Sequence, residues 1–179
     1  NMALSNESIN TLNQLIKKGV NFSFATARSI DSVLKIMKPL NLKLPFIIFN
    51  GVAVFDPVKN EYLRKNFLES QLAISIIEDV KLLNPFIFIN ENDTENSIYH
   101  RQPLNSGQYN FINSPVNKGE KSFKQITTYD FLNSQHEYIS IACIDKKENL
   151  LELYNKYSSN PLLEIHLTED VYQNEFYWL

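Results

Sequence analysis

The chain has 179 residues, 44% of them hydrophobic and 12% aromatic, enough to bury a real core in one large domain or two small ones. Its formal net charge is −3, with acidic and basic residues mixed along the chain, so it carries no electrostatic footprint for nucleic acid or an anionic membrane. No apolar stretch is long enough to span a bilayer and the opening Asn1-Met2-Ala3-Leu4-Ser5 lacks a charged n-region and an h-region, so the sequence reads as that of a cytoplasmic protein.

The first element is a helix: Ser5 or Asn6 can cap a segment reaching Lys18, with Ile9, Leu12, Leu15 and Ile16 at helical spacing and Gly19 where a C-terminal left-handed residue belongs. Val20 to Ala25 is β-prone and predicts a strand. It ends in the small polar turn Thr26-Ala27-Arg28-Ser29, after which Ile30, Val33, Leu34 and Met37 repeat at helical spacing up to Pro39. Pro45 to Phe49 is a short continuous apolar run, the pattern of a strand in a parallel sheet covered on both faces, and it ends in Asn50-Gly51. Helix, strand, helix and strand joined by short connections predict right-handed crossovers and a Rossmann-like layered α/β sheet.

Beyond Gly51 the texture changes. Val52 to Phe55, a turn at Asp56-Pro57 and Glu61 to Leu63 predict a hairpin, and Ser70 to Leu83 an amphipathic helix through Leu72, Ile76, Val80 and Leu83. Phe86 to Ile89, Tyr138 to Ile144 and Leu163 to Leu167 read as strands and Lys147 to Tyr157 as a helix, which makes an α+β module. Glu91 to Lys124, polar and weakly patterned, reads as a long loop or irregular insertion. Glu175 to Leu179 is strand-like. The one cysteine, Cys143, sits in the Tyr138 to Ile144 run, where a buried thiol is expected rather than a nucleophile or metal ligand.

The leading site candidate is Thr26-Ala27-Arg28-Ser29, because open α/β sheets bind ligands beyond the carboxyl ends of their strands and near helix N-termini. A hydroxyl and following amides at such a turn can take phosphate oxygens, and Arg28 can add charge; a helix N-cap beside an exposed arginine explains the same residues equally well. Asn50 and Gly51, also at a strand end, could face the same crevice, although taken alone an ordinary tight turn accounts for them. His100, His136 and His166 have no metal-ligand spacing, and packing or surface roles are expected of them.

Together these segments resemble the Cof-like (type IIB) branch of the haloacid dehalogenase (HAD) superfamily. That family's helix ending in Lys-x-x-Gly-Ile/Val, its Ala-Thr-Gly-Arg, Leu-x-x-Pro-x-Ile and Asn-Gly-Ala have counterparts in Leu15-Ile16-Lys17-Lys18-Gly19-Val20, Phe24-Ala25-Thr26-Ala27-Arg28-Ser29, Leu42-Lys43-Leu44-Pro45-Phe46-Ile47 and Asn50-Gly51-Val52, in the same order. The resemblance implies a partial Rossmannoid core over residues 2–56 and a C2-type α+β cap over 57–179. It also implies Mg²⁺-dependent hydrolysis of a small phosphorylated metabolite such as a sugar phosphate, with Thr26 bonding the transferring phosphoryl group, Ala27 and Arg28 beside it, and Asn50 and Gly51 near the substrate. Ala27 and Val52 depart from the family's glycine and alanine. The family's Asp-x-Asp-Gly-Thr, which supplies nucleophile and general acid/base, is absent, as is its acidic metal-binding motif, so no catalytic residue and no complete Mg²⁺ site are expected in this chain. Pro115 to Gly119 faintly resembles the family's lysine motif and Asp145 to Asn149 its acidic one; a place in the cap explains both better. The implied picture is a chain truncated at both ends and inactive alone, its unpaired core strands open to self-association. A non-catalytic ligand- or partner-binding module is the rival expectation.

Overall fold

The computed structural model describes residues 4–92, 95–114, 117, 122–171 and 173–179. It divides into two compact units, the first running to Phe67 and taking in Glu91–Asn96, the second made of Leu68–Asn90 and Ser97–Leu179. Among the described residues no helix is long and apolar enough to cross a membrane.

In the first unit, α1 (Asn6–Lys17) starts where the Ser5 side chain accepts from the Ser8 amide at 3.0 Å. It stops at Gly19, whose φ of +87° lets its amide reach the Ile16 carbonyl and the Val20 amide reach that of Leu15, each at 3.0 Å. Two hydrogen bonds from Asn13, to the Pro39 carbonyl at 2.9 Å and from the Asn41 amide at 2.8 Å, tie α1 to the connection after α2 (Ile30–Met37). A three-stranded antiparallel sheet follows in the order β1 (Phe46–Ile48), β2 (Ala53–Asp56), β3 (Glu61–Lys65). Its core is aromatic: Phe24 stacks on Phe46 at 4.7 Å between ring centres, Phe46 meets Phe55 at 5.7 Å, and Phe55 meets Tyr62 edge-on at 5.3 Å.

Two expectations for this unit are corrected. Val20 to Ala25 is not a full strand. It makes one parallel bridge, Ala25 to Ile47, through Ile47 N to Phe24 O and Thr26 N to Ile47 O, both 3.0 Å. The next rung would need an amide at position 45, and Pro45 has none; its carbonyl is taken by the Ser23 hydroxyl at 2.6 Å. Nor is β1 covered on both faces, since Phe46 and Ile48 are buried while Ile47 is exposed, the alternation of a half-covered strand.

The second unit opens with α3 (Ser70–Val80), capped by the Glu69 carboxylate, which accepts from the Gln71 and Leu72 amides. Those two bonds hold the Glu69 carboxyl below its usual range. The last expected turn of α3, Lys81 to Leu83, tightens into a 3₁₀ turn ended by Asn84 in the left-handed region. Glu91 to Lys124 is not an irregular insertion. β4 (Phe86–Asn92) runs into it, and it holds β5 (Glu95–His100), α4 (Ser106–Asn113) and the start of β6 (Phe123–Gln125). With β7 (Glu137–Ala142) these strands form a sheet in the order β6-β5-β4-β7. Ala73 and Ile77 of α3 pack on Ile87, Ile89 and Tyr138 of this sheet. The expected single strand from Tyr138 to Ile144 breaks at Cys143 into β7 and β8 (Ile144–Asp145), which lie in different sheets, and α5 (Lys147–Tyr157) then follows as expected. Leu163 to Leu167 is not a strand: the chain turns at Asn160, and only β9 (Thr168–Glu169) pairs, with β10 (Tyr177–Trp178), in a second sheet of order β8-β10-β9.

The smaller candidates have local explanations. His100 lies between the rings of Phe86 and Phe123, His136 between those of Phe131 and Tyr138, and His166 is an exposed neighbour of Glu164. Asp145 accepts from the Lys146 amide and the Asn149 side chain at the start of α5, and most of the Pro115 to Gly119 motif lies outside the described residues. Cys143 is buried, exchanging both backbone hydrogen bonds with Leu179, and burial pushes its thiol up to about 12. A thiol-specific disulfide reagent at neutral pH is therefore expected to leave the native protein unmodified and to react once denaturant unfolds it; fast labelling of the native chain would contradict this packing.

Candidate functional site

Two turns of the first unit lie side by side. The Asn50 amide donates to the Thr26 carbonyl and the Phe49 amide to the Arg28 carbonyl, each at 3.2 Å. These bonds bring Thr26, Ala27 and Arg28 together with Asn50 and Gly51 at the carboxyl ends of the Val20 to Ala25 segment and β1.

Thr26 is not the cap of α2. That position belongs to Ser29, whose backbone is extended (φ −71°, ψ 160°) and whose side chain makes no capping bond. The Ser29 hydroxyl instead donates to Asp31 Oδ1 at 2.6 Å. The Thr26 Oγ1 accepts from the Arg28 amide at 3.2 Å, closing a hydroxyl-to-backbone turn and leaving its own proton to donate outward. The Arg28 amide is thus already used, whereas the exposed Ala27 amide has no partner among the described residues. The Arg28 side chain lies along the first turn of α2, its Nη1 3.3 Å from the Ser32 hydroxyl.

The facing turn is strained. Phe49, Asn50 and Gly51 have φ of +51°, +54° and +103°, a left-handed run that a buried phenylalanine rarely adopts. The hydrogen bonds to Thr26 and Arg28 and one from the Val52 amide to the Phe49 carbonyl at 3.1 Å hold it there. At Gly51 the backbone excludes other residues: its Cβ position is open, but φ of +103° is hostile to any side chain. Asn50 is exposed. Ser32 and Phe49 were not legible as site residues, since neither a positive φ at phenylalanine nor a serine one turn into a helix leaves a mark in sequence.

These groups do not make a site for Mg²⁺. Asp31, in the first turn of α2, accepts from the Ser29 hydroxyl and lies 3.8 Å from Lys35, and among the described residues no three His, Cys, Asp or Glu side chains gather to hold a metal ion.

A hydroxyl and a free amide after a β-segment, a helix N-terminus without a side-chain cap and a strained Asn-Gly turn locked against them lie at the carboxyl ends of the strands of an α/β protein, the place where open α/β sheets commonly bind ligands. The model of the haloacid dehalogenase-like hydrolases matches residues 1–177, and the chain belongs to that family. Solved structures share the fold. A haloacid dehalogenase-like hydrolase from B. subtilis superposes with a TM-score of 0.66 at 19% identity, covering 99% of this chain and 68% of that one. Another from Bacteroides thetaiotaomicron gives 0.68 at 12% identity over 97% of this chain and 63% of that one. A protein of Buchnera aphidicola subsp. Schizaphis graminum, provisionally described as a phosphatase, is 29% identical over 132 residues, 68% of this chain and 47% of its own length. The chain thus spans about half the length of the curated relative it matches.

Proposed function

We propose that this chain supplies the phosphate-recognising part of a Mg²⁺-dependent phosphatase acting on small phosphorylated metabolites, sugar phosphates among them. The observation that carries this reading is the pair of turns locked at 3.2 Å, with the Thr26 hydroxyl proton and the Ala27 amide free to donate to phosphate oxygens and the Asn50 carboxamide exposed beside them. Arg28 supplies nearby positive charge, and the uncapped start of α2 adds a favourable dipole. Residues 57–179 would act as the cap that selects the leaving group. This sequence holds no Asp-x-Asp-Gly-Thr, and among the described residues no metal-ligand set gathers, so no step through a nucleophile or a metal is assigned to these residues.

Inorganic phosphate titrated into the full chain and followed by amide chemical shifts tests the site. Shifts are expected at Thr26 to Ser29 and at Asn50, with a dissociation constant around millimolar, ~4 kcal/mol, because little positive charge is present to offset desolvation of a dianion. Thr26→Val should remove them. An unperturbed turn at tens of millimolar phosphate, or shifts that persist in Thr26→Val, would remove Thr26 from phosphate recognition.

A further inference from the structure

We propose that the first unit carries a second ligand site, for a small hydroxyl-bearing anion, in the groove between the C-terminal half of α1 and the connection that follows α2. The groove is open to solvent and has a volume of about 430 Å³ over the buried Ile16. Asn10, Asn13, Gln14 and Lys17, spaced i, i+3, i+4 and i+7, present one face of α1 to it, and Asn41 and Lys43 form the opposite wall. Asn13 is spent on structure: its two hydrogen bonds to Pro39 and Asn41 fix the width of the groove. The carboxamides of Asn10, Gln14 and Asn41 and the ammonium groups of Lys17 and Lys43 have no hydrogen bond or ion pair among the described residues.

The chemistry of those five groups sets the ligand class. Two lysines and no carboxylate line the groove, so its wall is net positive and favours an anion over a neutral ligand. The local balance agrees: residues 4–52 contain six Lys or Arg and two Asp or Glu, although the whole chain is net −3. That overall negative charge disfavours a long polyanionic strand. Each carboxamide offers a donor and an acceptor in one plane, a match for adjacent hydroxyl groups, which also both donate and accept. A smaller recess of about 150 Å³ shares Ile16 and Lys43 and is lined by Val20, Phe22 and Leu44, which suits the apolar edge of a carbon skeleton.

The groove is separate from the phosphate-facing turns. α1 and the 41–43 connection lead into the starts of the Val20 to Ala25 segment and β1, whereas Thr26 and Asn50 lie beyond their ends. A ligand in the groove therefore does not compete with one at Thr26, and the inference stands whether or not Thr26 binds phosphate.

Amide shifts of the full chain should be followed in titrations with gluconate, a carboxylate polyol, and glucitol 6-phosphate, a phosphate polyol, with neutral sorbitol and inorganic sulfate as controls. Saturable shifts at Asn10 to Lys17 and Asn41 to Lys43 are expected with at least one anionic polyol, at roughly tenfold or better affinity over both controls. Which of the two binds identifies the acidic group. The double substitution Lys17→Gln and Lys43→Gln, at exposed positions and so without risk to the core, should weaken that binding by roughly tenfold or more, while Thr26→Val leaves it unchanged. Equal response to sulfate would reduce the site to an adventitious ion only. An absence of shifts with both polyol anions, or affinity retained in the double variant, would overturn it.

Discussion

Gln108→Leu is expected to destabilise the second unit by about 2–4 kcal/mol although it replaces a polar side chain with an apolar one of similar size. Gln108 is 1% exposed and uses all of its hydrogen-bonding directions but one. Its Oε1 accepts from the Leu104 amide at 2.9 Å, and its Nε2 donates to the carbonyls of Leu83 at 2.8 Å and Ile144 at 3.1 Å. Three separate segments therefore close on one carboxamide: the 3₁₀ turn after α3, the approach to α4 and strand β8. Leucine would leave the Leu104 amide and the Leu83 carbonyl short of a partner, at about 1–3 kcal/mol for each that is fully buried, while the Ile144 carbonyl keeps the Asn105 side chain at 2.9 Å; a modest gain from burying the leucine methyl groups offsets part of the loss. Urea unfolding followed through Trp178, the one tryptophan and a residue of this unit, should show a lower midpoint with an unchanged slope. A loss below about 1 kcal/mol would mean that water or a shifted backbone replaces the carboxamide at little cost.

The same residue shows why part of this chain was legible and part was not. α1, α2, α3 and α5 announce themselves through apolar periodicity and through end signals such as Ser5 and Gly19, and the structure places them within a few residues of the reading. Glu91 to Lys124 looked like an insertion because its Asn, Ser and Gln residues argue for solvent. In the fold Asn84 donates to the Gln102 carbonyl at 2.7 Å, Asn105 caps α4, and Gln108 is buried among backbone groups. Polar residues that satisfy buried backbone groups look the same in sequence as polar residues in water. At the site, the turn at Thr26 and the Asn-Gly turn were readable one at a time. That both could face one crevice followed from their places at strand ends, but the lock between them was not legible, since it depends on long-range backbone bonds and on a left-handed Phe49, and neither leaves a residue-type signature. The expected full strand from Val20 failed for a reason visible only in the pairing, where Pro45 falls at the rung that would have needed a donor.

Phe46→Ala is expected to cost the first unit about 3–5 kcal/mol and to unlock the candidate site without touching any residue of it. Phe46 is 1% exposed, stacked on Phe24 at 4.7 Å and tilted against Phe55 at 5.7 Å, so it clamps the Val20 to Ala25 segment to β1 where backbone pairing supplies a single bridge. That bridge carries the Thr26 amide, bonded to the Ile47 carbonyl at 3.0 Å, and beyond it lies the Asn50 amide on the Thr26 carbonyl. Removing the ring leaves a large apolar void between two segments with little else to hold them, and the positive φ of Phe49 and Asn50 would then relax as the Asn50–Thr26 and Phe49–Arg28 bonds that oppose the strain open. Amide exchange at Ile47, Thr26 and Asn50 should accelerate by roughly a hundredfold or more, the equivalent of ~3 kcal/mol of local stability. Phe46→Leu, which keeps most of the volume, should lose about half as much or less. Phosphate-dependent shifts at Ala27 and Asn50 should vanish in Phe46→Ala and survive in Phe46→Leu. Protection at Thr26 that outlasts Phe46→Ala would show that the backbone bonds alone hold the two turns together.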